Sequence, residues 1–599
     1  MRYDARMARR SHKAEPVEAG TPRWIILLLP VTLLLVEIVV LPGAHSGFRL
    51  PKEALAAGGL ALVTALGLGW ALYQGKLRLP SGVLARVLAA YPLLLALSAL
   101  WASSWRHALA AAAIAAVWTA AALWIASLDE QQRRLAAWWA AAGVAISAAT
   151  MLLQAAGVRA LQLTAASERG RLALTGRTGN PADLAMAATL VLPFLLCGDH
   201  PRETPWARRV RWALIVILAA ATAASQSLTG LVALGLIAAT WTWLKGSRRL
   251  RLAAAGAVAA LLVVALAAGL GARLAKQVEH VRSGDWYSLL SSRTDGWSAA
   301  VEMARQDPLL GVGAAQFDRN YFPSRLEWLE RHQRFGRRGE LATHFEWAHC
   351  DPLQLAAELG LLGVVWLAAV VVALLRGRQR RDPLPLLAAA AFTPFALLHY
   401  PTHLAASLVP IVLVLAHVLA SGSMLEARPR PATVRLVSAV ALLGLAAVMA
   451  SWQVARIRID LWRGDTLRIL QTARQSQEPQ RSTMAREVER QSRQWLTRAS
   501  DQGGWLWQII GHARTVRGDA AGAEAAFQRA VALWPHGEAE LGLGLALAAQ
   551  GRTSEAVTHL GRVFRVNRVL LRMIEDPDVR RALQQYVDRR SRQLRRQDR

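Results

Sequence analysis

The sequence predicts an all-α, polytopic membrane protein that ends in a soluble helical region. Hydrophobic residues make up 54% of the 599-residue chain, a share that is high for a soluble protein. Apolar runs of membrane-spanning length recur between residues 24 and 452, and arginines cluster in the short segments that separate them. Residues 453–599 are polar and rich in arginine instead. The chain therefore divides into a transmembrane domain at 24–452 and a soluble domain at 453–599.

The apolar runs are each close to the ~20 residues that cross a bilayer as a helix. They lie at 24–42, 54–73, 82–101, 107–127, 134–156, 181–198, 209–225, 228–244, 251–272, 353–375, 383–400, 404–420 and 434–452. Because the stretch at 209–244 can be divided in two ways, we expect about 12 to 13 transmembrane helices. The first run is too long for the apolar part of a cleavable signal peptide.

The loop charges predict the orientation in the cytoplasmic membrane. Residues 1–23 form a basic tail that we expect in the cytoplasm, and most other basic clusters then fall on the same side, as the positive-inside rule requires. The net charge of +29 is thus explained by topology, and no nucleic-acid partner is expected. We expect the large loop at 273–352 and residues 453–599 outside the cytoplasmic membrane; one miscounted helix would move 453–599 to the cytoplasm. The outward segment 157–180 departs from the rule because it carries several arginines.

Small residues at regular spacing characterise the soluble region. One copy of the pattern has Trp507, Ile510, Gly511, Gly518, Ala523, Phe527, Ala530 and Pro535, and a second has Leu543, Gly544, Gly551, Ala556 and Leu560. The pattern resembles the tetratricopeptide helix-turn-helix repeat, whose small residues let paired helices pack closely. A helix at 480–500 would cap the stack. Such repeats act either as a rigid spacer or as a groove for a partner protein.

Two predicted helix starts on the outward side favour anion binding. Asn180-Pro181-Ala-Asp183 has the form of a helix cap, and Asp351-Pro352 repeats it after the large loop. Free backbone N–H groups and the helix dipole attract anions at such ends. The candidate ligands for a phosphorylated headgroup are Asn180, Arg171 and Arg177 at the first start and Arg337, Arg338 and His344 at the second. Contact of these arginines with anionic membrane lipids is the alternative.

Arg293 is a further candidate for an anion contact. Ser292-Arg-Thr-Asp295 predicts a capping box for a short helix that Asp307-Pro308 ends. A cation in the first turn opposes the helix dipole, which indicates either a binding role for Arg293 or a salt bridge to Asp295.

His349 is the candidate for proton transfer, because an imidazole titrates near neutral pH and accepts a proton from a hydroxyl group. Glu358 falls inside the following span, where a carboxylate is costly unless it is paired or functional, and it is a further candidate substrate ligand. A metal cluster of His344, Glu346, His349 and Asp351 is an alternative, but their spacing matches no standard zinc pattern. A structural histidine is another. We expect no metal and no cofactor.

Four motifs together indicate a family. They are Thr175-Gly-Arg-Thr-Gly-Asn-Pro-Ala-Asp-Leu-Ala185, Ser225-Gln-Ser-Leu-Thr-Gly230, Arg293-x3-Trp297 with Asp307-Pro-Leu-Leu-Gly-Val-Gly313, and Ala348-His-Cys-Asp-Pro-Leu-Gln354 with Glu358-Leu-Gly360. In this order, over roughly residues 20–450, they resemble the O-antigen ligase and polymerase superfamily of bacterial surface polysaccharide assembly.

The resemblance implies a GT-C-like glycosyltransferase that needs no metal. Such an enzyme moves a glycan from undecaprenyl pyrophosphate to an acceptor hydroxyl, on lipid A-core or on a growing glycan, at the periplasmic face. His349 would activate the hydroxyl, and Arg293, with Arg177, would neutralise the leaving pyrophosphate. The chain departs from the family at Gln226 and Leu228, where many members carry an arginine, and at Cys350, where an asparagine is usual.

Ligation, polymerisation and protein glycosylation share this donor, and the motifs do not separate them. A transporter of lipid-linked glycan is a rival of another class, but it predicts paired half-repeats and charged residues within the spans. The sequence has no convincing internal repeat, and its spans are nearly free of charge, with Glu37 and Glu358 among the few exceptions. A membrane anchor that presents the repeats to a partner is a third interpretation.

Overall fold

A computed structural model of the protein describes residues 22–158, 170–198, 203–246, 248–334, 345–377, 382–426, 431–499, 502–567, 574 and 576–597. Helices dominate these ranges, and the all-α prediction is confirmed. In the described ranges the strands are β1 (Arg78–Pro80) and β2 (Met424–Glu426), which pair antiparallel. Both strands belong to segments for which the cytoplasmic side is predicted, so their pairing agrees with the predicted alternation of the helices.

Each predicted apolar run coincides with a helix. The helices are α1 (Arg23–Ile38), α2 (Leu50–Ala54) continued through a π-helical turn into α3 (Leu60–Tyr73), α4 (Val83–Leu97), α5 (Trp105–Ser127), α6 (Glu130–Ala155), α7 (Pro181–Leu196), α8 (Pro205–Ala224), α9 (Leu228–Lys245), α10 (Arg248–Ala267), α15 (Asp351–Gly377), α16 (Leu384–Leu398), α17 (Ala405–Ala420) and α18 (Ala432–Gln475). Their apolar side chains form the largest hydrophobic clusters of the described residues.

Fewer described helices than predicted are long and apolar enough to cross a membrane. Seven described helices are long and apolar enough to cross a membrane, or eight if the bent pair α10 and α11 (Leu270–Arg282) is one span. Helices α7, α16 and α17 are apolar but have only 16, 15 and 16 residues. The multi-pass prediction is confirmed, while the larger number of about 12 to 13 helices stays a prediction.

The large loop is mostly helical in its described part. After α11, which bends by 85° from α10, come α12 (Trp286–Leu289), α13 (Arg293–Gln306) and α14 (Phe317–Arg331). The predicted capping box at Ser292 is wrong: Ser292 has a φ of 59° and its side chain makes no capping hydrogen bond. Asp295 instead accepts from Arg325 of α14 and from the Tyr287 hydroxyl, at 2.9 Å. This buried ion pair fastens α13 to α14.

Hydrogen bonds join the segments predicted to face outward. The Ala314 amide donates to Ser98 Oγ over 3.0 Å, and the Arg177 guanidinium donates to the Ile38 carbonyl over 2.9 Å. The Thr402 amide donates to the Asp351 carboxylate over 3.1 Å. These segments therefore lie together at one end of the helices, and we call this end the loop face.

The soluble region continues directly from the last apolar helix. Helix α18 has 44 residues, of which the first half is apolar and the second half polar. It is followed by α19 (Gln480–Arg498), α20 (Gly503–Val516), α21 (Ala520–Leu533), α22 (Gly537–Ala548), α23 (Thr553–Val566) and α24 (Pro577–Gln597). The expected close packing is present: a Cβ on Gly511 would lie 2.7 Å from the Phe527 ring. The helical pairs and the helix at 480–500 are confirmed, and the tetratricopeptide assignment stays a prediction.

The soluble region packs against the loop face. The Arg319 guanidinium of α14 donates to the Leu533 carbonyl over 2.6 Å, and Arg565 of α23 pairs with Glu330. Asp460 of α18 accepts from the Ser46 amide over 2.8 Å. The described parts of residues 453–599 and of the large loop are thus on the same side of the helices, as an odd number of spans predicts.

Candidate functional site

Two of the sequence motifs interlock through their backbones. The turn at 307–313 lies in a break of α15 at Gly360, whose φ is 56°. The Gly313 amide donates to the Glu358 carbonyl over 2.8 Å, and the Leu361 amide donates to the Pro308 carbonyl over 2.9 Å. A positive φ favours glycine because a side chain there is strained. The interlock fixes the large loop on the first turns of α15.

Glu358 supports this arrangement with both carboxylate oxygens. One accepts from the Ala315 amide at 3.0 Å, and the other accepts from the Phe317 amide at 3.4 Å and from Gln354 Nε2 at 3.1 Å. A buried carboxylate is tolerated where hydrogen bonds satisfy it. Glu358, predicted from sequence as a substrate ligand, therefore has a structural task at the start of α14.

His349 lies at the end of the segment that returns from the large loop to α15. Its backbone has a φ of 56°, and its carbonyl accepts from Trp297 Nε1 at 3.4 Å. The imidazole is packed edge-on between Phe345 and Tyr400, with centroid distances of 5.6 and 4.7 Å. Within the described part of the chain, its Nδ1 atom is buried and has no hydrogen-bond partner. The ring is thus held in place with one nitrogen free.

Burial, followed by the positive charge of Arg293, lowers the pKa of His349 to about 4. The imidazole is therefore neutral at pH 7, and a neutral imidazole can accept a proton. The same neighbour that depresses this pKa is the predicted anion ligand, so the two catalytic candidates are electrostatically coupled.

Arg293 is the first residue of α13, and a second histidine holds it. Its Nη1 donates to the Leu290 carbonyl over 3.1 Å, and its Nη2 lies 3.2 Å from His399 Nε2. A guanidinium has no acceptor, so His399 Nε2 must accept and its proton is on Nδ1. His399 is buried in the loop between α16 and α17. Sequence reasoning missed it, although that short outward loop carries two histidines.

Tyr400 connects this centre to the start of α7. Burial raises the pKa of Tyr400, and the charges of Asp183, Arg49 and Arg293 all act on its hydroxyl. Asp183 lies in the first turn of α7. The start of α7 is therefore near Tyr400 through Asp183, which was not among the candidate ligands.

The start of α7 has the expected cap. Asn180 Oδ1 accepts from the Ala182 amide at 2.9 Å, and Pro181 is the first helical residue. The Arg177 guanidinium is directed to the Ile38 carbonyl, and the Arg177 amide donates to Ser147 Oγ over 2.9 Å. Arg177 therefore ties this segment to the end of α1, and its role as a phosphate ligand stays a prediction.

Arg49 is a further cation of the centre, and sequence reasoning missed it. Its guanidinium lies 3.6 Å from the centroid of the Trp347 ring and forms ion pairs with Glu53, at 2.6 Å, and with Glu346. Trp347 also packs on Tyr400, with a centroid distance of 4.6 Å. A stacked guanidinium keeps a fixed position. Arg49 thus lies beside the segment that carries His349.

An arginine also reaches the Ser225–Gly230 turn, although the turn itself has none. Arg273 of α11 donates to the Gln226 carbonyl, and Gln226 Nε2 donates to the Ala268 carbonyl. Gln226 has a φ of 54°. The bend between α10 and α11 brings this guanidinium to the loop face.

Several candidate side chains lie outside the described residues. They are Arg171, Arg337, Arg338 and His344. Among the described residues, no group of three or more His, Cys, Asp or Glu side chains is placed to hold a metal ion. The metal cluster that includes His344 and the phosphate contacts of these arginines are therefore untested.

Comparison with known proteins adds one finding. The Wzy_C family model, described as O-antigen ligase, matches residues 213–368. That segment contains Gln226, Arg273, Arg293, His349 and Glu358. No curated protein matches the chain. The match does not extend to the soluble region or to the first six transmembrane runs. Residues 213–368 are accordingly similar to the segment that this O-antigen ligase family model describes.

Proposed function

We propose that the protein transfers a glycan from an undecaprenyl-pyrophosphate carrier to an acceptor hydroxyl at the periplasmic face of the cytoplasmic membrane. The observation that carries the proposal is the placement of a half-buried, neutral His349, held by Tyr400, within the field of the fixed cation Arg293, in the segment that matches the O-antigen ligase family model. A base and a phosphate-binding cation at one point are what this transfer requires.

In the proposed step, His349 takes the proton of the acceptor hydroxyl while its oxygen attacks the anomeric carbon of the donor. The new carbon–oxygen bond forms as the bond from that carbon to the pyrophosphate breaks, and undecaprenyl pyrophosphate leaves with its electron pair. Arg293, positioned by His399, neutralises the developing negative charge. A stabilised leaving group needs no general acid.

Three more cations are candidates for the same pyrophosphate. Arg273 stands at the turn where the family arginine is missing, Arg49 lies beside Trp347, and Arg177 lies at the start of α7. The start of α7, capped by Asn180, adds free backbone N–H groups. The loop face would thus surround the carrier headgroup at the membrane surface.

The acceptor distinguishes three enzymes with this donor. A ligase uses lipid A-core, a polymerase uses a growing glycan, and a protein glycosyltransferase uses a polypeptide hydroxyl. We favour ligation to a surface glycolipid, with polymerisation as the second candidate because the domain motifs suit both.

The test is reconstitution of the purified full-length chain in liposomes with an undecaprenyl-pyrophosphate glycan, candidate acceptors and EDTA. We expect release of carrier pyrophosphate that depends on the acceptor. The H349A variant should lose at least about 100-fold in kcat, the scale of general base catalysis. The control is H332A, which removes an exposed histidine of the same loop. Normal turnover by a folded H349A variant would refute the proposal and favour a transporter or a scaffold.

A further inference from the structure

A cavity of about 600 Å³ lies between the soluble region and the loop face. We call it the interface cavity. One wall comes from α18, α20 and the start of α22, and the other comes from segments 45–46, 315–319 and Glu346. Its volume is within the range of small-molecule sites, which occur preferentially where two structural units meet. Neither unit forms this space by itself.

The lining combines aromatic rings with planar polar groups. Trp505 and Trp534 contribute indoles, and the Arg463 guanidinium lies 4.3 Å from the centroid of the Trp505 ring. Gln508 Nε2 donates to the Glu538 carboxylate over 2.9 Å at the same wall. Sugar rings present apolar C–H faces and hydroxyl groups that both donate and accept. Indole faces, carboxylates, amides and guanidinium groups match both features.

The charges of the lining are mixed rather than cationic. The positive charges of Arg319 and Arg463 are balanced by the carboxylates of Glu346 and Glu538. Burial, followed by the Glu346 charge, raises the pKa of Asp318 to about 8, so at pH 7 this carboxyl is protonated and can donate a hydrogen bond. A site for phosphate would carry an excess of arginine or lysine. The cavity therefore suits an uncharged polyhydroxyl ligand.

The cavity adjoins the candidate catalytic centre. Glu346 lines it, pairs with Arg49 and precedes His349 by three residues in the chain. Ala315, held by Glu358, is also part of the wall. A ligand in the cavity is thus next to the segment that carries the base, whereas Arg293 and His399 are not among the lining residues.

We propose that the interface cavity binds the saccharide of the acceptor, so that the soluble region is part of the substrate site and the acceptor is a glycan or glycolipid rather than a polypeptide. The inference rests on the proposed function, because it identifies the acceptor of that reaction. Residues 453–599 would then bind substrate, rather than act only as a spacer or as a groove for a partner protein.

Two variants test the cavity in the full-length chain. Leu467 lines it from α18 and is 37% exposed, so L467W should fill the space without removing a packed side chain. E538Q removes a charge from the rim and keeps the shape. T472W is the matched control, because Thr472 is an exposed residue of the same helix that does not line the cavity. Thermal unfolding identifies any variant that fails to fold.

The readouts are steady-state kinetics and saturation-transfer-difference NMR in nanodiscs. The NMR probe is the oligosaccharide released by mild acid from the surface glycolipid of the producing bacterium. We expect L467W to raise the acceptor KM at least about tenfold and E538Q less, with the donor KM unchanged and the NMR signal lost in L467W. T472W should match the unaltered chain.

An acceptor KM that stays unchanged in both variants overturns this inference while leaving the proposed function intact. A rise in the donor KM instead also overturns it, because the cavity would then hold the donor glycan. Transfer to a polypeptide hydroxyl that L467W does not impair overturns it as well. Failure of the proposed function has a different signature, which is normal turnover by H349A.

Discussion

Arg293 Nη2 lies 3.2 Å from His399 Nε2, so a buried imidazole accepts a hydrogen bond from the guanidinium assigned to the leaving group. We expect H399A to lower kcat by about 10- to 100-fold, the equivalent of one lost hydrogen bond to a charged group. The donor KM should change less, because Arg293 keeps its charge. H399Q, which still offers an acceptor oxygen, should recover part of the rate in the liposome assay. Equal loss in both variants would assign His399 to packing alone.

The pH dependence should follow His349. Its pKa is lowered to about 4, first by burial and then by Arg293, so kcat/KM should be level near neutrality and fall as the pH drops toward that value. Replacing the cation in R293Q removes one cause of the depression, and the acid limb should move to higher pH. The residual rates of R293Q between pH 4 and 8 measure the shift. An acid limb that moves to lower pH would contradict the coupling.

The interlock of the two motifs predicts an intolerant glycine. Gly360 has a φ of 56°, and a Cβ there would lie 2.5 Å from the backbone carbon of Leu309. G360A should therefore destabilise the chain by about 1–3 kcal/mol from backbone strain, and by more if the turn is displaced. Thermal unfolding in detergent measures the loss. G235A is the control, because a Cβ on Gly235 meets nothing within 4 Å. Equal melting temperatures of G360A and G235A would show that the interlock does not stabilise the chain.

The ion pair between Asp295 and Arg325 predicts a non-additive mutant cycle. Both side chains are about nine-tenths buried, so R325M leaves a buried carboxylate without its guanidinium counter-charge. We expect a loss of about 3–5 kcal/mol in that variant. The double variant D295L/R325M should recover much of it, since neither charge is left alone. Denaturant unfolding of the four proteins gives the coupling free energy, and additive losses would show that the pair is not coupled.

The helices are predicted well because the length and the apolar composition of each run can be read directly from the sequence. The cap at Asn180 is also local and is confirmed. The turn at 307–313 and the Glu358-Leu-Gly360 motif could be predicted separately, but not their interlock, because backbone pairing between distant segments leaves no periodic signal. For the same reason the contact of His399 with Arg293 was missed. The Ser292 cap failed because the preceding turn gives Ser292 a left-handed backbone.

Helix α18 passes from the apolar domain into the soluble region as one continuous rod of 44 residues. Each residue of an α-helix turns the chain by about 100° and advances it by about 1.5 Å. The rotation of the soluble region about the α18 axis, relative to the loop face, is therefore set by the number of residues between the bilayer and Asp460. Inserting one residue would rotate Asp460 away from Ser46, whereas inserting about seven would nearly restore the angle but lift the region by about 10 Å. The contact between Ser46 and Asp460 thus constrains the number of residues in this helix as well as their identities.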